Sequence, residues 1–173
     1  MMNPEVYWVP ELEGIRLAIM PRPRGHEWLA EEVRGWSLLG LNHVISLLEP
    51  HEVRELGLLD EAALCAAHAL TFTSFPVPDR GVPASLHRAS ELILGAAAGL
   101  TSGEAIAIHC RAGIGRSALL AGCILINLGV PEAEVFPRIS RGRGIQVPDT
   151  PAQIQWLASY AREGRKVLPA NRG

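Results

Sequence analysis

The residues best suited to chemistry lie in one unbroken run, His109-Cys110-Arg111-Ala112-Gly113-Ile114-Gly115-Arg116-Ser117. Small and β-branched residues from Ala105 to Ile108 precede it and read as a short buried strand. The apolar stretch from Ser117 to Leu128 follows it and reads as a helix. A strand, a glycine-bearing loop and a helix start make an anion site by geometry, because backbone N–H groups converge there and the helix N-terminus adds partial positive charge. Residues Arg111, Ala112, Gly113, Ile114, Gly115 and Arg116 would form this phosphate loop. Gly113 and Gly115 permit the tight backbone that turns the donors inward. Arg116 is placed to fold over the loop and grip two phosphate oxygens with its planar fork.

Cys110 stands at the base of this cradle. The field that draws a phosphate also suits a sulfur nucleophile, so one loop would bind the anion and attack it. The Ser117 hydroxyl is placed to donate to the Cys110 sulfur when the thiolate leaves again. His109 and Cys110 are neighbours at a strand end and face opposite sides, so His109 is expected to orient the loop rather than take protons. The competing reading is a buried, inert cysteine before a glycine turn. The combination of Cys, five residues, Arg and Ser at a strand–loop–helix junction favours chemistry.

The elements that must position this loop alternate between short strands and helices, the pattern of an α/β layer fold. Strands are expected over Leu17–Met20, His43–Leu48, Leu70–Phe75 and Ala105–Ile108. Helices are expected over His26–Leu39, over Glu52–Ala69 with a break near Gly57, over Ala84–Leu100 with Ser85 as a possible cap, over Ser117–Leu128 and from Glu132 to Ser140. Arg141–Pro148 reads as a loop before a final amphipathic helix with Ile154, Trp156, Leu157 and Tyr160 on roughly one side. The prolines and glycine of Pro76-Val77-Pro78-Asp79-Arg80-Gly81-Val82-Pro83 dictate an ordered, non-helical loop. The expected architecture is a single α/β domain: a twisted, mostly parallel sheet of four or five strands with helices on both faces. Its site would lie at the carboxyl end of Ala105–Ile108.

Composition narrows the classes. A chain of 173 residues with 48% apolar and 20% charged residues suits one globular domain over residues 1–173, with a catalytic core at about residues 41–162. The formal net charge of −2 supplies no global field for nucleic acid or an anionic membrane. Of 16 basic residues only Lys166 is lysine; the rest are arginine, which suits bidentate phosphate binding. Three cysteines, Cys65, Cys110 and Cys123, are too few and too irregular for a disulfide scaffold or zinc site, and fit a reducing cytoplasm. The N-terminus lacks a signal pattern and the longest apolar run, Ala118–Leu128, is too short for a bilayer. No metal or other cofactor is expected, nor a nucleic-acid or membrane partner, and the chain is expected to be a monomer.

From His109 to Ser117 the sequence resembles the cysteine-based protein tyrosine phosphatase superfamily, whose signature is Cys, any five residues, Arg, then Ser or Thr. The resemblance spans roughly Val44–Tyr160. In size the chain looks like the small atypical dual-specificity enzymes and the compact tyrosine phosphatases of bacteria and archaea. The resemblance implies a metal-free phosphatase acting through a phosphocysteine on a phosphorylated protein or small aryl phosphate. It implies a general acid on an upstream loop, and Asp79 in Pro78-Asp79-Arg80-Gly81-Val82-Pro83 matches, where the bland reading is a proline-adjacent turn. Asp149-Thr150-Pro151-Ala152-Gln153 resembles the segment whose glutamines position the attacking water, with Gln153 on the second glutamine, Asp149 replacing the first residue, and Gln146 as a nearby substitute. Glu49 resembles an acidic residue that would hold Arg116; a surface glutamate is equally consistent.

Cys65 and Cys123 read as core residues, although some relatives shield the nucleophile with a reversible disulfide. Arg22, Arg24, Arg80, Arg111, Arg141 and Arg143 are candidates for a basic rim or ordinary solvated arginines. The alternatives are the same mechanism on a phosphoinositide, sugar or nucleotide phosphate; a sulfurtransferase or arsenate reductase; and a non-catalytic phosphate-binding module.

Overall fold

The computed structural model describes residues 3–164; Met1, Met2 and positions 165–173, with Lys166, lie outside the described residues. Strand β1 (Tyr7–Trp8) pairs antiparallel with β2 (Arg16–Met20). After β2 come a 3-10 turn at His26–Trp28, helix α1 (Leu29–Leu38), β3 (His43–Ser46), α2 (Pro50–Glu55), α3 (Glu61–Ala67), β4 (Thr71–Ser74) and α4 (Leu86–Thr101). Then follow β5 (Ala105–His109), α5 (Arg116–Asn127), α6 (Glu132–Arg143) and α7 (Pro151–Glu163). The sheet has five strands in the order β1-β2-β5-β3-β4, with all pairs parallel except the β1 edge.

The period of two along β5 explains why helices cover both faces. Ala105 and Ala107 face a cluster with Leu29, Val33 and Trp36 of α1 and Cys65 of α3. Ile106, Ile108 and Cys110 face a cluster with α4, α5 and α7. Such a β5, buried at every position, reads as a run of small and aliphatic residues because both faces are dry. Truncating Ile106 or Ile108 to Ala would cost about 2–5 kcal/mol. Helix α5 is buried from Arg116 to Ile126, which is why its sequence is apolar all round.

Parallel pairing has a direct consequence for function. In register, Met20, Ser46 and His109 end β2, β3 and β5 side by side, and Ser74 ends β4 next to Ser46. The loops after all four strands therefore leave at one edge of the sheet. That edge receives the turn Pro21–Arg24, the start of α2, the Phe75–Pro83 loop and the loop after β5.

Several boundaries differ from the sequence reading. Strand β1 is too short to carry a periodic signal. The expected break near Gly57, at φ 69°, does divide the 52–69 stretch into two helices, but the first begins at Pro50 rather than Glu52. Helix α6 extends past Ser140 to Arg143 and ends at Gly144 in the left-handed region. Ser85 does cap α4, its hydroxyl accepting from the Arg88 N–H at 3.2 Å. In α7, Leu157 and Tyr160 are buried but Ile154 is 51% exposed, so it does not share their inward face.

Candidate active site

The chain turns sharply after β5. Gly113 adopts φ 69°, and a Cβ there would sit 2.6 Å from the Met20 carbonyl carbon, so only glycine fits. Gly115 approaches Gln153 closely enough that a Cβ would lie 2.9 Å from the side-chain nitrogen. The loop between Cys110 and Arg116 is thus folded against the β2 turn on one side and the α7 start on the other.

Within this loop the carbonyls are engaged on the outer side. The Arg22 N–H donates to the Arg111 carbonyl at 3.1 Å, and His109 Nδ1 lies 3.4 Å from the Cys110 carbonyl. In a trans peptide, C=O and N–H point in opposite directions. Among the described residues, nothing accepts a hydrogen bond from the backbone N–H groups of residues 111–115. Gly115 caps α5 without a side-chain bond. A row of unpaired donors at the start of a 12-residue helix is an anion cradle.

Cys110 sits at its base, 3% exposed, with Sγ 3.3 Å from Ser117 Oγ; the thiol donates to the hydroxyl, and once the proton is gone the hydroxyl can donate to the sulfur. His109 points to the opposite face of the sheet. Its Nε2 lies 2.6 Å from Glu61 Oε1, and its ring is 6.3 Å from that of Trp36. The structure therefore separates His109 and Cys110 as the strand period requires.

Arg116 is buried and held by Glu52 in a two-pronged pair, Nη1 to Oε2 at 2.8 Å and Nη2 to Oε1 at 2.9 Å. This corrects the expectation for Glu49. Glu49 is the residue before α2; its backbone N–H donates to Glu52 Oε2 at 2.9 Å, and its half-buried carboxylate lies 3.9 Å from His51 instead. Because α2 starts at Pro50, Glu52 falls in its first turn, on the side that meets the loop. Burial disfavours the Arg116 charge, but the Glu52 hydrogen bonds and the neighbouring Cys110, Glu52 and Asp79 charges outweigh it and raise the pKa. Burial likewise pushes the Glu52 carboxyl up, and the bonds from Arg116 and Glu49 bring it below the usual range.

The acid loop arrives from β4. Val77 is buried and its carbonyl accepts from Arg116 Nη1 at 2.9 Å; Asp79 Oδ1 accepts from Arg116 Nη2 at 3.1 Å, with its side chain 54% exposed. Arg80, at φ 58°, reaches Asp149 Oδ2 at 3.0 Å. Gln153 Nε2 donates to the Gly81 carbonyl at 3.1 Å, while its Oε1 accepts from the Asp149 and Thr150 N–H groups at 3.0 and 3.1 Å. So Gln153 joins the acid loop to the start of α7. Gln146 is exposed and does not line the site.

Together these residues enclose an open cavity of about 220 Å³, lined by Asp79, Arg80, Cys110, Arg111, Arg116 and Gln153, with Asp149, Ala112 and Gly115. Among the described residues, no aromatic side chain lines it. Arg111 leans toward Glu55 at 4.0 Å. Of the other rim candidates, Arg24 pairs with Glu32 at 2.6 Å and Arg141 with Glu11 at 2.8 Å, both away from the cavity. Cys65 and Cys123 are buried and free, in clusters on opposite faces of the sheet. Sequence reading missed Glu52 and Glu61, which lie far from the loop in sequence and carry no motif of their own. Among the described residues no helix is long and apolar enough to cross a membrane.

A family model described as "Polymorphic toxin system, DSP-PTPase phosphatase" matches residues 18–130. Among solved structures, kinase associated phosphatase is similar at 16% identity, a TM-score of 0.86, and coverage of 95% of this chain and 98% of that one. The active form of Tk-PTP is 22% identical, with a TM-score of 0.74 and coverage of 94% and 99%. PTPMT1 is 20% identical, with a TM-score of 0.75 and coverage of 94% and 97%. No curated protein matches the sequence.

Proposed function

The chain belongs to the polymorphic toxin system DSP-PTPase phosphatases, within the cysteine-based tyrosine phosphatase superfamily, and we propose that it hydrolyses phosphotyrosine, and also phosphoserine and phosphothreonine, in proteins. The observation that carries this reading is the set of unpaired N–H donors of residues 111–115 around Cys110 and Arg116. The polar and charged lining among the described residues, with Asp79, Arg80, Arg111 and Arg116, supports substrates selected by their phosphate rather than by a phenyl ring.

In the proposed reaction the phosphate dianion takes the N–H donors of the loop and displaces Asp79 from Arg116 Nη2. The Cys110 thiolate attacks phosphorus in line with the ester oxygen. As the P–O bond breaks, the carboxylic acid of Asp79 gives its proton to the leaving oxygen, so the alcohol departs neutral. The Ser117 hydroxyl, 3.3 Å from the sulfur, stabilises the thiolate when water then attacks the phosphocysteine. The Asp79 carboxylate takes the proton from that water, which Gln153 helps to place, and inorganic phosphate leaves. The chain is proposed to act as a monomer in a reducing compartment such as the cytoplasm, where Cys110 stays free.

The same polar walls also favour a second reading, a phosphorylated sugar or inositol headgroup. A structure of PTPMT1 in complex with PI(5)P has a similar fold at 20% identity. The test is hydrolysis of para-nitrophenyl phosphate at about pH 6 with chelator present, followed by phosphopeptide and phosphoinositide panels. Activity in wild type and its loss in Cys110→Ser would support the reading. Activity that persists in Cys110→Ser would overturn it.

A further inference from the structure

Three consecutive carbonyls, those of Arg111, Ala112 and Gly113, accept hydrogen bonds on the outer side of the phosphate loop. The last two are held by one side chain. Arg143 Nε donates to the Gly113 carbonyl at 2.9 Å and Arg143 Nη2 to the Ala112 carbonyl at 3.2 Å. Its guanidinium in turn lies over the Tyr7 ring, 4.1 Å from the centroid. Arg143 is the last residue of α6, and the left-handed Gly144 ends the helix directly after it. Tyr7 belongs to the edge strand β1. Neither residue lines the cavity.

We infer that Arg143, stacked on Tyr7, is a positioning residue that orients the Gly113 and Ile114 N–H groups toward the bound phosphate. The reason is peptide geometry. The Ala112 carbonyl shares a rigid unit with the Gly113 N–H, and the Gly113 carbonyl with that of Ile114. Pulling both carbonyls outward onto one planar fork turns both N–H groups the other way. Gly113, at φ 69°, is free to flip a peptide; the fork removes that freedom. Arginine suits this task because two of its donors are fixed in one plane, which an ammonium group lacks. The ring of Tyr7 limits the guanidinium to that plane. This inference rests on the proposed phosphate chemistry, since it gives those N–H groups their ligand.

The experiment compares wild type with Arg143→Ala, Arg143→Lys and Tyr7→Leu. The readouts are KM and kcat for para-nitrophenyl phosphate, inhibition by orthovanadate, binding of inorganic phosphate by calorimetry, and thermal melting. Misaligned donors weaken every oxyanion, so Arg143→Ala should raise KM and the orthovanadate inhibition constant by about tenfold or more and lower kcat. Arg143→Lys keeps the charge but lacks the fork, and should stay closer to Ala than to wild type. Tyr7→Leu should give a smaller loss in the same direction. A purely structural role would lower the active fraction and kcat alone, with KM and orthovanadate inhibition unchanged; that result overturns the inference. Full recovery in Arg143→Lys also overturns it, because charge alone would then suffice. Should Arg143→Ala fail to melt cooperatively, Arg143→Lys and Tyr7→Leu decide by the same measures. A wild type that binds phosphate without turning over the ester would sink the catalytic reading, and phosphate affinity would still test Arg143.

Discussion

Glu52 and Arg116 meet as a buried, two-pronged ion pair, at 2.8 and 2.9 Å, with both side chains almost fully shielded from solvent. Glu52 also receives the Glu49 N–H, so one carboxylate fixes the start of α2 and the Arg116 guanidinium together. Removing one partner leaves an uncompensated buried charge, and Glu52→Ala should destabilise the fold by about 3–5 kcal/mol. The pH dependence has a definite sign. The folded Glu52 pKa is lowered, so its contribution is present above the ordinary value of 4.5 and is lost as pH falls through the lower folded value. Denaturant unfolding of wild type and Glu52→Gln should therefore differ most near neutral pH and converge in acid. A gap that is independent of pH would contradict this account.

The three thiols should differ sharply in reactivity. Burial, with Glu61 adding to it, pushes the Cys65 thiol up to about 12, and burial alone holds Cys123 well above the ordinary thiol range. Brief iodoacetamide treatment at about pH 7 should carboxamidomethylate Cys110 and spare the other two. Peptide mass spectrometry would show it, and labelling of Cys65 or Cys123 at a comparable rate would refute it.

Asp79 Oδ1 accepts from Arg116 Nη2 at 3.1 Å, so in the proposed reaction it competes with the substrate phosphate for that donor. Asp79→Asn should lower kcat by about a hundredfold or more through loss of the proposed general acid. The loss should grow with the basicity of the leaving group. Inorganic phosphate should bind as tightly as to wild type or more so, because the competing negative charge is gone. Weaker phosphate binding in Asp79→Asn would show that Asp79 supports the anion site instead of competing for it.

Gln153 bonds the acid loop through the Gly81 carbonyl and the α7 start through two N–H groups. Gln153→Leu should therefore lower kcat by about tenfold while raising the proteolytic susceptibility of residues 78–83, because a part-buried bond between loop and helix is lost. Unchanged proteolysis would separate its effect on water from its effect on the loop.

Gly113→Ala tests the loop backbone itself. A Cβ would meet the Met20 carbonyl carbon at 2.6 Å, and φ 69° is strained for alanine. Melting should shift by the equivalent of about 1 kcal/mol or more. Orthovanadate inhibition should be lost with it; full inhibition in a stable variant would mean that the loop tolerates another path.

The strand–turn–helix geometry around Cys110 was legible from sequence because it is local. A short buried strand, a glycine turn, a cysteine, an arginine and a helix start follow one another within a few residues, and chain connectivity alone brings them together. The parallel sheet was legible too, since alternating strands and helices leave few other ways to bury both faces of β5. Asp79 was reached through the family resemblance, and the prolines around it impose the ordered loop that brings it to Arg116 Nη2.

Tertiary structure decided which distant groups complete the site. Glu49 and Glu52 are equivalent by type, and a shift of the α2 start to Pro50 determines which one faces Arg116. Helices turn about 100° per residue, so a shift of two positions turns the face by about 200°. Glu61 reaches His109, Gln153 reaches Gly81, and Arg143 reaches the loop carbonyls only because four parallel strands end at one edge and α6 ends beside it. Those pairings depend on strand register and helix length, quantities set by packing across the whole domain rather than by neighbours in the chain.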